Sequence, residues 1–438
     1  MIKDFIEKHW QSNRNLLGYG AFDLLENINS VYPLKYATYK SGQRVMTWRV
    51  PEEWIVKEAY IEDEQGNRYL DYKDNPLHLS AYSTPIDKWI DREELISHIW
   101  VNGVGIPWLF KYYERDWQFC SQVNSAIDAW IANNNKFHVV IDAEYKQGAM
   151  LVGELQLGNI GVSDLVIMSH YDHPFQANDG LSGVAVALEV YRRLKENPPD
   201  WFGGVRFLFV PETIGSIAYF SDHDYSKITG GIFLGACGND GKINLQLSNL
   251  HRGVDSMAYS LFETKYGEEY NPDKSFVEQC NKANEAYSIV GRGDIPGNDE
   301  IVLNSLGIPC VALNRFPYPE YHTSADTPAI ISEDKLAEMT DITEEITRVH
   351  CTNYIPKQKY EGIPFLSGYG LWIDWRDDLL MSKAMEQIFI RFDGKWDVFE
   401  IADLLQYDFK LDYWKVREVV EKFRTAGLIE TLPSKKED

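Results

Sequence analysis

The chain has 438 residues and a net charge of −23, and its composition is 44% hydrophobic and 25% charged. Such a length exceeds what one hydrophobic core organises, so two or three structural units are expected, and the composition is globular rather than disordered. The acidic balance argues against a chain built to track nucleic-acid phosphates or anionic lipid.

In chain order, the N-terminus breaks its apolar residues with charges every few positions, and its spacing (Ile2, Phe5, Ile6, Trp10) predicts amphipathic helix up to roughly residue 34. No run of about 18 apolar residues occurs anywhere, so neither a signal peptide nor a membrane span is expected. From about Gln43 short β-rich runs with turn residues between them predict a small inserted β-rich domain over 43–135. An aromatic segment (Trp100, Trp108, Phe110, Tyr112, Tyr113, Trp117) runs out of it and reads as core and interface packing.

From about Lys136 strands and helices alternate. FHVVIDAEY and AMLVGELQLG read as consecutive strands, LVIMSHYD as a strand buried on both faces, and SGVAVALEVYRRLKE as the helix after it. VRFLFVPE, GIFLGACG and IPCVALN continue the strand series. The expectation is an α/β fold with a mostly parallel sheet, built from 1–42 and 136–368 and covered by helices. Beyond it, 369–438 carries two amphipathic helices and a short strand, an arrangement that resembles a winged helix. Its basic residues Lys415, Arg417, Lys422 and Arg424 are diluted by acidic ones, which favours packing or homo-oligomer contacts, there or through the β insertion, over nucleic acid. Five cysteines (Cys120, Cys237, Cys280, Cys310, Cys351) have no C-x-x-C spacing and read as buried thiols of a cytoplasmic protein.

Four loops carry candidate chemistry. In HYDH, strand alternation puts His170 and Asp172 on one side, so that Asp172 can orient the His170 imidazole, and turns His173 away. In NDGLSG, Asp179 precedes a helix, where it is either a metal ligand or a helix N-cap. Glu212 ends the strand VRFLFVPE and can be a general base or a ligand. His322 lies in a turn-rich loop, with Asp326 four residues on. Two other features read blandly: RGD at 292–294 as loop chemistry, and Arg252 as a surface ion pair.

The order HYDH, NDGLSG, PETIGS, GNDE before LGIPCVALN, and YHTSADT resembles the zinc-exopeptidase superfamily, its aminopeptidases and glutaminyl cyclases, over roughly residues 136–336. The resemblance implies a zinc site, open also to Mn or Co, with one or two ions. It makes His170, Asp179 and His322 ligands, Glu212 a base or ligand, Asp172 the partner of His170, and Asp299 a supporting carboxylate. It further implies hydrolysis of an amide in a small peptide or peptide-like conjugate by metal-activated water. Glutaminyl-cyclase-like acyl transfer at one zinc, or a non-catalytic binding and assembly role, are the alternatives. Two positions depart from the pattern: Glu212 is followed by Thr213 where a second glutamate is expected, and Gly235 stands where an aspartate is expected. The inserted β domain and C-terminal winged helix are similar to those of bacterial aminopeptidase-like proteins associated with polysaccharide or secondary-metabolite gene neighbourhoods.

Overall fold

The computed structural model describes residues 2–114, 116–266, 287–290, 295 and 297–433. The RGD tripeptide and Cys280 lie outside the described residues. Cys120, Cys237, Cys310 and Cys351 are all buried. Among the described residues no helix is long and apolar enough to cross a membrane.

An eight-stranded sheet organises the chain, in the order Lys35–Lys40, Ala149–Gly158, Gly204–Val210, Asp164–His170, Ile228–Leu234, Cys310–Asn314, Ile243–Gln246, Tyr287–Val290. The four central strands run parallel, and the pairings toward both edges include antiparallel ones. Every residue of Asp164–His170 is buried, which is why the strand reads as a continuous apolar run. Its period of two still sorts the faces. Leu165 and Ile167 pack under the helices Tyr19–Asn29, Leu181–Glu196 and Glu333–Thr352. Val166 and Met168 pack under Ile214–Asp222 and Glu300–Ser305. Helices thus cover both faces, as the sequence indicates. The carboxyl ends of the parallel strands, at His170, Val210, Leu234 and Asn314, all open on one side, the side on which such sheets build ligand sites.

FHVVIDAEY and AMLVGELQLG are consecutive strands but part company. Lys136–Lys146 pairs with Glu53–Asp63 and Ile86–Asp91 in a separate antiparallel sheet, while Ala149–Gly158 joins the main one. By pairing, the small β body therefore extends to Lys146, past residue 135. It has its own core, with Trp54, Trp117, Phe119, Trp130 and Phe137. At the other end, Lys35–Lys40 forms an edge strand of the main sheet, where only Tyr39 is buried and the apolar signal is correspondingly weak.

Among the described residues after Gly370 there are three helices, Leu379–Phe389, Val398–Phe409 and Tyr413–Thr425, one more than the spacing shows. The closing strand Ile429–Leu432 pairs with Ile355–Gln358, so residues 355–358 go with these helices by pairing. Val416, Val419, Val420 and Phe423 form the buried stripe of the last helix.

Candidate metal centre

His170 closes its strand, and beyond it the chain no longer alternates. The buried guanidinium of Arg14, from the N-terminal segment, donates to the carbonyls of Tyr171 (2.8 Å), His173 and Gln176 (3.0 Å) and to that of His9 (2.5 Å). This clamp bends the loop back over the sheet. His173 therefore does not point away, as strand alternation predicts. Its ring stacks on His170 at 4.4 Å between centroids and is fully buried.

The two histidines have different carboxylates behind them. His173 Nδ1 faces Asp172 Oδ1 at 3.7 Å, and the same oxygen accepts the Glu212 backbone N–H at 2.8 Å. His170 Nδ1 faces Asp299 Oδ2 at 3.6 Å, and Asp299 Oδ1 accepts from Thr213 N (2.9 Å) and Ser216 Oγ (2.5 Å). Asp172 is thus placed against His173, and the supporting carboxylate Asp299 against His170. Together Asp172 and Asp299 hold the Glu212–Thr213 turn, where Thr213 takes a φ of 60°.

Asp179 is not the helix cap. Gly180, with a φ of 85°, occupies the N-cap of Leu181–Glu196, which leaves the Asp179 carboxylate to the cluster. Asp179 Oδ1 accepts from His170 Nε2 at 3.1 Å. Asp179 Oδ2 lies 2.9 Å from His322 Nε2 and 3.7 Å from His173 Nε2, and Glu212 Oε2 lies 3.7 Å from that same His173 nitrogen. Asp326 fixes the loop from behind, accepting the N–H groups of Asn178 (2.6 Å) and Asp179 (3.0 Å) and the Tyr318 hydroxyl (2.9 Å). His322 stacks on Tyr321 at 3.8 Å. Trp108, from the small β body, packs its indole on His173 and His322 and donates its backbone N–H to the His322 carbonyl at 2.7 Å.

These donor atoms approach one another without satisfying one another. His173 Nδ1 and Nε2, Asp179 Oδ2 and His322 Nε2 are buried with no hydrogen-bond partner, although Asp179 Oδ2 and His322 Nε2 are within hydrogen-bond distance. The distance fits a hydrogen bond but the direction does not, as expected of atoms aimed at a shared third point. Leaving several buried polar atoms unpaired costs about 1–3 kcal/mol each. A cation bound among imidazole and carboxylate donors removes that cost, and this donor chemistry suits zinc and accepts Mn or Co. The residues fit a metal.

The electrostatics carry the same imprint. Burial alone would raise the Asp179 carboxyl, but His173, His170 and His322 hold it well below its ordinary range. Burial lowers His173, whereas at His170 the Asp179 and Asp299 carboxylates overcome burial and raise it. Glu212 is pushed up to about 8 by burial, against the pull of His170 and with the repulsion of Asp172, Asp179 and Asp299. A cation among these carboxylates counters that rise.

Beside the cluster, Phe233, Gly235, Phe316 and Tyr321 line a narrow cleft that reaches His170 and Asp179. A Cβ at Gly235 would come within 2.9–3.0 Å of the Phe233 ring, so that ring fills the space of the expected aspartate. Arg252 lines a separate cleft with His350 and Asp397 and donates to the Gly307 carbonyl at 3.3 Å.

The family model described as "Domain of unknown function (DUF4910)" matches residues 3–353. The chain belongs to that family. A Clostridium acetobutylicum relative, "Putative polysaccharide biosynthesis protein with aminopeptidase-like domain", is 29% identical over 347 residues, covering 77% of this chain and 74% of its own. A crystal structure described as a "putative peptidase" from the same organism has a TM-score of 0.76 and 25% identity over 98% of this chain and 96% of that one. The zinc aminopeptidase BSAP of Bacillus subtilis has a TM-score of 0.57 at 14% identity, over 79% of this chain and 93% of its own. The fold is that of the zinc exopeptidases, as the motif order implies.

All six residues singled out from the sequence, His170, Asp172, Asp179, Glu212, Asp299 and His322, meet in this one cluster. Sequence reasoning missed Arg14 and Trp108 and set His173 aside. Trp108 had a signal, its place in a dense aromatic segment, but nothing local distinguishes it from its neighbours. Arg14 had none.

Proposed function

We propose that the chain is a metal-dependent, aminopeptidase-like hydrolase that cleaves an amide of a small peptide or peptide-like conjugate, with zinc as the metal. The observation that carries this reading is the convergence of unpaired, buried donor atoms from His173, Asp179 and His322 at the carboxyl end of a parallel sheet. A metal held there supplies Lewis-acid polarisation of the amide carbonyl and acidifies water. Glu212, a quarter exposed at the rim of the cluster, takes up a proton and returns it to the leaving amine. Its backbone N–H is held by Asp172. The ring-lined cleft of Phe233, Phe316 and Tyr321 accepts an apolar acyl side chain, and Asn298 and Asn314 offer amides to the substrate backbone.

The test is a panel of aminoacyl amides assayed with zinc-loaded protein, chelator-treated protein and Glu212→Gln. Turnover is expected to disappear on chelation and return with zinc. Glu212→Gln is expected to keep the metal and lose about 10²–10⁴-fold in kcat. Zinc-loaded protein inert toward every amide would leave this fold a binding scaffold.

A further inference from the structure

We propose that a single metal ion is held by His173, Asp179 and His322, and that His170 is a positioning residue for Asp179 rather than a ligand. This deepens the metal-hydrolase reading and rests on it. It departs from the motif resemblance, which makes His170 the ligand and leaves His173 out.

The two stacked histidines differ in what their nitrogens already do. His170 Nε2 donates to Asp179 Oδ1 at 3.1 Å, and its Nδ1 is turned to Asp299 Oδ2 at 3.6 Å. The Nε2 hydrogen bond is formed, whereas Nδ1 faces its carboxylate without one. His173 has no hydrogen bond at either nitrogen despite full burial. Its Nε2 sits 3.7 Å from Asp179 Oδ2, and that oxygen sits 2.9 Å from His322 Nε2. Ligand atoms of one tetrahedral zinc, with bonds of about 2.0–2.1 Å, stand about 3.3 Å apart. The two separations from Asp179 Oδ2, 2.9 Å to His322 Nε2 and 3.7 Å to His173 Nε2, bracket that spacing.

The surroundings of His173 also match those of a metal-bound imidazole. Ligating histidines commonly present their other nitrogen to a carboxylate that sets the tautomer, and Asp172 faces Nδ1 of His173 from 3.7 Å. Asp172 is itself anchored by the Glu212 N–H. Three protein ligands are what catalytic zinc sites use, with one position left for substrate, and Glu212 Oε2 lies 3.7 Å from His173 Nε2 on the open side.

The His170 side lacks the means to hold a second ion. The aspartate expected there is Gly235, and the Phe233 ring, 5.4 Å from His170 between centroids, fills its space. A metal on that side would have His170, one Asp179 oxygen already hydrogen-bonded to it, and an apolar ring.

The experiment measures zinc content and zinc affinity by competition with a chelating dye, and the visible spectrum of the Co²⁺-substituted protein. It uses the full chain, as wild type, His173→Gln and His170→Gln, with folding checked by thermal unfolding. One zinc per wild-type chain is expected. His173→Gln is expected to lose more than about 10³-fold in affinity. His170→Gln should lose about 10–100-fold, keep one zinc at saturation and keep the wild-type Co²⁺ spectrum. If His173→Gln fails to fold, Asp172→Asn replaces it, and a changed Co²⁺ spectrum with that variant but not with Asp299→Asn supports the same assignment. Loss of the site in His170→Gln with retention in His173→Gln overturns the proposal, and so do two zincs per chain, while both outcomes leave the hydrolase reading standing. No zinc in the wild type overturns both.

Discussion

His170 and His173 are three positions apart, and their roles separate only when each nitrogen is followed to its neighbour. From sequence, the H-x-D pattern is read as strand all the way through, which gives Asp172 to His170. The strand ends at His170, and the bend that follows is made by Arg14, whose contact with the His173 carbonyl joins residues 159 apart. No local spacing encodes such a contact. Asp179 was legible, because a Gly-flanked acid before a buried helix has few roles, and here the N-cap role goes to Gly180. At this scale Asp326 provides a test. Its carboxylate accepts from three successive loop N–H groups, those of Ala177, Asn178 and Asp179, and from Tyr318, and Asp326→Asn turns an acceptor into a donor facing donors. Zinc affinity is expected to fall by about 10–100-fold, measured by dye competition.

His350 gives a second prediction, independent of the metal. Burial lowers its pKa from 6.5 to about 4, so the folded state favours the neutral ring. Above pH 6.5 both folded and unfolded forms are neutral and stability does not depend on this group. As the pH falls from 6.5 toward 4 the unfolded chain binds the proton first, and stability drops by about 3 kcal/mol before levelling off. His350→Gln is expected to remove that share of the pH slope in urea unfolding measured across this window, leaving the share of His9, which burial lowers similarly.

Among the elements, the parallel strands and the helix after His170 were legible because fully buried strands leave unbroken apolar runs. The assignment of Lys136–Lys146 was not, since apolar alternation shows that a strand exists but not which sheet it joins. The same limit applies to Trp108. The segment before it bridges Pro107 to Thr323 and pins the loop that carries His322, a contact between elements far apart in sequence. Trp108→Ala is expected to cost about 3–5 kcal/mol of unfolding free energy and to weaken zinc binding by loosening His322 and His173. At the end of Ile228–Leu234, Gly235→Asp is expected to leave zinc stoichiometry unchanged, because the Phe233 ring occupies the space its carboxylate needs. A second zinc in that variant, read by metal analysis, would contradict the role given to Phe233.

For the whole molecule, the acidic balance and the C-terminal helices bear on partners. In the last helix Arg417 and Arg424 pair with Asp200 and Glu421, and Lys422 pairs with Glu418, so these cations are engaged within the chain. With a net charge of −23, duplex DNA is expected to show no binding even at low ionic strength, checked by fluorescence anisotropy. The small β body and the main sheet meet at the cluster itself, where Trp108 closes over His173 and His322, so the site belongs to the assembled molecule rather than to one sheet. Its most direct test is a crystal of the zinc-loaded full chain, with anomalous diffraction recorded on both sides of the zinc edge. One peak in contact with His173, Asp179 and His322 is the expected result, and a map with no zinc peak at this cluster is the contradicting one.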